Sequence, residues 1–79
     1  MIMNVYKDES VLFSTKDSVL ITFFENLESN IEYQINPSTS GKNFHINYKL
    51  NGEDQLKLGV PEYIAEAIVN NYRFEIIND

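Results

Sequence analysis

The stretch Ser14-Thr15-Lys16-Asp17-Ser18-Val19-Leu20-Ile21-Thr22-Phe23-Phe24-Glu25-Asn26-Leu27 decides the architecture, because it reads two ways. Leu20, Phe23, Phe24 and Leu27 fall at helical spacing, Ser14 or Thr15 can serve as the N-cap, and Asp17 then sits in the first turn. Against the helix, residues 19–24 are rich in β-branched and aromatic side chains. A hairpin of residues 11–14 with 18–24 across Thr15-Lys16-Asp17 therefore competes. The helix is favoured. It gives the order strand, helix, strand, strand (with a short extra one), helix, strand, which is the split βαβ order of ferredoxin-like domains, βαββαβ. The hairpin gives a curled antiparallel sheet holding one helix. Both are α+β: a small, single-layer, mostly antiparallel sheet with one or two helices on one face.

Outward from this stretch the elements are clearer. Ile31, Tyr33 and Ile35 alternate with Glu32 and Gln34, and Phe44, Ile46, Tyr48 and Leu50 alternate with His45, Asn47 and Lys49, so two half-buried strands are expected. Between them, residues 36–43 (Asn-Pro-Ser-Thr-Ser-Gly-Lys-Asn) are turn formers and should be exposed. Asn51-Gly52 is ordinarily a two-residue hairpin turn. Here a two-residue loop would set Leu50 against Glu53 and Tyr48 against Gln55, opposing an apolar face to a polar one, whereas Leu56, Leu58 and Val60 read as the inward set. A five-residue loop over 51–55 is preferred on that parity, with Glu53 and Asp54 at its exposed tip. Pro61 at the first helical position and Glu62 behind it open a second helix, with Val60, Tyr63, Ile64, Ala67, Ile68 and Tyr72 on one stripe. Asn70-Asn71 ends it, and residues 72–77 read as a closing strand.

Seventy-nine residues make one domain over 1–79, near the lower limit for a core without staples. A homodimer that covers apolar surface is therefore a reasonable expectation. The chain has no Cys, which excludes disulfide frameworks, thiolate zinc sites and thiol nucleophiles. No leader pattern or membrane-spanning run is present, so a cytoplasmic protein is expected. At a net charge of −6 the chain repels phosphate backbones and anionic lipid, so neither direct nucleic-acid binding nor membrane association is expected. Ten Asn, nine Ile and five Lys against one Arg and two Ala point to AT-rich codons and a low-GC host.

No motif names a reaction. There is no Walker loop, G-x-G-x-x-G or G-x-S-x-G, and Gly41, Gly52 and Gly59 lie too far apart for a phosphate cradle. Ser40-Gly41-Lys42 is a turn. His45, the only imidazole, sits on the polar side of its strand, where a solvated residue outweighs a general base or metal ligand. The carboxylate pairs Asp8-Glu9 and Glu53-Asp54 lack EF-hand spacing and fall on loops. Residues 41–48 share a faint pattern with RNA-stacking strands, but Phe44, Ile46 and Tyr48 belong to the core face. No catalytic residue, metal ligand or cofactor is assigned.

Charge is what distinguishes the chain. Residues 1–41 carry −4 and 58–79 carry −3, while 42–57 carry +1. On the second helix Glu62 and Glu66 stand one turn apart opposite the apolar stripe, without a Lys at i+4. Asp17, Glu25 and Glu28 would line one side of the first helix. Fixed carboxylates of this kind can imitate spaced phosphates, and surface Tyr such as Tyr63 can anchor a contact. The expectation is a non-enzymatic interaction module, an acidic inhibitor or adaptor docking on a larger basic protein, such as a nucleic-acid enzyme, through Glu53, Asp54, Glu62, Glu66, Tyr63, Asp17, Glu25 and Glu28. In type it resembles the small, acidic, cysteine-free inhibitors of phages and other mobile elements. The alternative is a structural homo-oligomer or assembly subunit that uses its apolar sheet face or edge.

Overall fold

In the computed structural model, which describes residues 1–29, 31–39 and 41–78, the decisive stretch divides into a strand and a helix. Ile2–Lys7 (β1) turns through Asp8-Glu9, with Asp8 at φ 58, into Ser10–Thr15 (β2), and the pair is antiparallel with one register slip between Val5 and Tyr6. Residues 11–14 thus pair backward with β1, not forward with 18–24. Ser18–Glu25 (α1) buries Leu20, Ile21, Phe23 and Phe24. Those positions make one helical stripe, whereas a strand's period of two would have drawn Thr22 inside with Leu20 and Phe24. The N-cap is Asp17, not Ser14 or Thr15. Its Oδ1 accepts from Val19 N (2.9 Å) and Leu20 N (3.2 Å), and Thr15 Oγ1 accepts from Asp17 N (3.1 Å). Ser14 and Thr15 are held in the ladder opposite Asn4 and Met3, so neither backbone is free to open a helix. With the cap at Asp17 and the C-cap at Asn26, Glu28 lies beyond the helix, so Asp17, Glu25 and Glu28 do not line one side of it.

Ile31–Pro37 (β3) and Asn43–Leu50 (β4) pair along their whole length, from Ile31 opposite Leu50 to Pro37 opposite Phe44. Between them Ser38 N donates to Asn43 O and Gly41, at φ 83, donates to Ser38 O; Ser40 of the expected turn lies outside the described residues. Asn51-Gly52 does make the two-residue turn, with both residues at positive φ (54 and 83), and Leu50 faces Glu53 in Glu53–Asp54 (β5). The five-residue loop is thereby corrected. Gln55 N still donates to Tyr48 O (3.0 Å), and then the register moves by one residue, so that Leu58–Pro61 (β6) returns with Ile46 opposite Leu58 and Phe44 opposite Val60. That extra residue restores the parity that the apolar pattern demands. Leu58 and Val60 point inward as expected, but Leu56 is thrown out, 91% exposed.

Glu62–Val69 (α2) follows, with Pro61 as its N-cap rather than its first residue and Ile64, Ala65, Ala67 and Ile68 buried. Asn71, at φ 54, ends the helical run, and Phe74–Ile77 (β7), shorter than expected by Tyr72 and Arg73, pairs antiparallel with β1. The fold is α+β, but its strands form two antiparallel sheets, β2-β1-β7 and β3-β4-β5 with β6 also on β4, instead of one. The ferredoxin-like order is not confirmed: a hairpin precedes α1, and every described strand pair is antiparallel.

One core joins the sheets. Met3 and Val5 of β1 and Ile46 of β4 are buried with the apolar faces of both helices. Neighbouring aromatics on α1 face different sheets: Phe23 meets Tyr33 and Tyr48 edge-on (5.6 and 5.1 Å between centroids), and Phe24 meets Phe13 and Phe74 (6.4 and 5.6 Å). Among the described residues no helix is long and apolar enough to cross a membrane.

Candidate functional site

The eight candidate residues separate into those already engaged within the chain and those presenting an unengaged side chain. Asp17 is engaged through Oδ1, which caps α1. Glu66 is engaged more fully: its Oε1 accepts from the Tyr72 hydroxyl (2.7 Å) and from Lys7 Nζ (3.1 Å). The Tyr72 hydrogen bond, followed by the Lys7 hydrogen bond and charge, lowers the Glu66 pKa, and Glu66 raises those of Lys7 and Tyr72. The absence of a Lys at i+4 on α2 is thus made good by a Lys on β1. Sequence spacing along one helix could not reveal that pair, whose members are 59 residues apart.

Glu25, Glu28, Glu53, Asp54 and Glu62 are exposed, and among the described residues no hydrogen bond or ion pair engages their carboxylates. Tyr63 is 46% exposed while its ring rests edge-on against Phe13 at 5.4 Å, so it is part core and part surface. These groups do not form one site. Glu25 and Glu28 lie beside Tyr72, Arg73 and Phe74 along a groove of about 330 Å3. In the same neighbourhood the Arg73 guanidinium stacks 4.0 Å from the centroid of Tyr6. Glu53 faces Leu50 and Pro61 faces Asn43, at opposite ends of β4, so Glu62 stands roughly 23 Å along the strand from Glu53.

Sheet β3-β4-β5 adds a carboxylate to the Glu53-Asp54 group that the sequence reading omitted. Glu32 pairs with Lys49 and Lys49 with Asp54, so one cross-strand row reads acid, base, acid. This row, with Gln34 and Asn47, lines an open cleft of about 460 Å3 on the polar face of the sheet. His45 lies further along that face and is half-buried. It packs over Gly59, whose added Cβ would lie 4.0 Å from its ring. No carboxylate or hydroxyl among the described residues bonds to the imidazole, and no three His, Cys, Asp or Glu among them converge. The arrangement supports surface contact, with acids held on fixed strands.

The sequence reading also missed an apolar surface. Leu56 and the half-exposed Val19 share a groove with Tyr48 and Leu58. The signal was present in the conflict between Asn51-Gly52 and the apolar parity: satisfying both needs one extra residue between β5 and β6. Compared with known proteins, the chain matches no protein-family model, no curated protein and no solved structure.

Proposed function

We propose that the chain is a non-enzymatic, cytoplasmic interaction module, an acidic inhibitor or adaptor of the mobile-element type, that docks on a larger basic protein. The observation that supports this reading is the Glu53-Asp54 arm. A two-residue turn fixes it, β4 braces it, and among the described residues no hydrogen bond or ion pair engages either carboxylate. Glu32 adds a third acid to this face, across Lys49 from Asp54. A binding surface of this kind loses little side-chain and loop entropy on contact, and its charge accelerates encounter with a basic groove. Glu25, Glu28 and Glu62 contribute to the long-range field rather than to the same contact. Glu66 and Asp17 contribute less, because each has a structural partner.

The partner's chemistry is that of a protein that holds polyanions, such as a nucleic-acid enzyme. The test immobilises the full chain and the variant Glu53→Gln/Asp54→Asn and compares capture from a low-GC bacterial lysate at about 0.05 M and about 0.5 M salt, with and without heparin. The expected result is a captured protein that salt releases, heparin displaces and the variant fails to hold. Capture that is indifferent to salt, heparin and the double substitution would overturn the reading.

A further inference from the structure

Leu56 is more exposed than any other large apolar side chain described, and the register step between β5 and β6 puts it there. Single exposed leucines are ordinary. This one stands on the rim of a groove of about 350 Å3 that it lines together with Val19, Tyr48 and Leu58, ample for a second leucine side chain. The floor is firm, because Val19 precedes Phe23 by one helical turn and Phe23 packs on Tyr48. Asp17 and Lys57 also line the groove, and they form no ion pair with each other. Asp17 uses Oδ1 for the cap, which leaves Oδ2 for another contact.

We propose that this surface is the interface of a homodimer, in which each Leu56 seats in the Val19–Tyr48–Leu58 groove of the second copy and each Lys57 meets the partner's Asp17. A knob beside its own groove, bordered by one charge of each sign, is self-complementary under a twofold axis. Charge selects this occupant over a basic one. The groove carries one acid and one base, so a basic partner gains no net attraction there. A second copy brings a Lys57 to each Asp17, so the contact adds no net repulsion to a chain of net charge −6.

Sedimentation equilibrium of the full chain tests the proposal, with circular dichroism confirming that each variant is folded. The wild type should dimerise. Leu56→Asp should raise the dissociation constant about thirtyfold or more, as loss of a central anchor does. Lys57→Glu, which sets like charges together, should raise it about fivefold. A zero-length carbodiimide applied to a mixture of isotope-labelled and unlabelled chains should join Lys57 of one copy to Asp17 of the other. A wild type that stays monomeric up to about 1 mM overturns the proposal. So does a Leu56→Asp variant that associates as tightly as the wild type, or a monomer that uses Leu56 to hold a different protein.

Discussion

Glu66 shows how far a residue's role can depart from its place in the sequence. Read along the helix it is an unrelieved acid; in the fold it ties α2 to β1 through Lys7 and to the segment before β7 through Tyr72. Its pKa is lowered by folding, so its contribution to stability is present above the unfolded value, near 4.5, and fades as the pH falls through the lower folded value. Chemical denaturation of wild type and Glu66→Gln should therefore differ from neutral pH down to the unfolded value, near 4.5, and converge as the pH falls through the lower folded value. A gap that persists unchanged at acid pH would assign the effect to packing. Lys7 and Tyr72 have raised values, so their parts of the network last below their ordinary 10.5 and 10.0 and are lost as the pH rises through the folded values. Asp17 is the other acid with a structural duty. Asp17→Ala should lower stability by about 1 kcal/mol in urea titration, while Asp17→Asn should keep most of the cap.

At the scale of elements, the legible parts were those in which local chemistry and periodicity agreed. The alternation in β3 and β4 and the apolar stripe of α2 placed those elements to within a residue or two. The apolar stripe of α1 was legible as well, but its cap was not, because Ser14 and Thr15 are as able to cap as Asp17 and only pairing with β1 excludes them. The β5 region misled for a different reason: turn chemistry and parity gave contradictory registers, and the fold satisfies both by inserting one residue. Of the candidate site, the exposed carboxylates were legible from composition, whereas Glu32's place across Lys49 from Asp54 required the β3-β4-β5 order. The turn itself can be tested. Gly52 has open space where a Cβ would stand but sits at φ 83, so Gly52→Ala should cost about 1–2 kcal/mol in conformational strain alone. Denaturation of the variant should show that loss, with the β4–β5 amide protection reduced and the β3–β4 protection kept.

For the molecule as a whole, the two sheets depend on contacts of very different reach. β3, β4, β5 and β6 are joined in sequence by short connections, whereas β1 is flanked by a near neighbour, β2, and by β7 at the far end of the chain, with Ile2 opposite Ile77. The core that unites them includes α1, whose Phe23 and Phe24 face one sheet each. The pairing of β1 with β7 has a temporal consequence. Closing so long a loop carries the greatest entropic cost of any pairing in the fold, so β7 should dock after the rate-limiting step, on a nucleus already built from the hairpins and helices. Ile76→Val should then cost about 1 kcal/mol and accelerate unfolding roughly fivefold while leaving the folding rate nearly unchanged; Ile46→Val, in the middle of β4, should instead slow folding. Stopped-flow chevrons on the two variants would show which limb moves. If they do, the strand that completes the first sheet is also the one whose departure sets the lifetime of the native state.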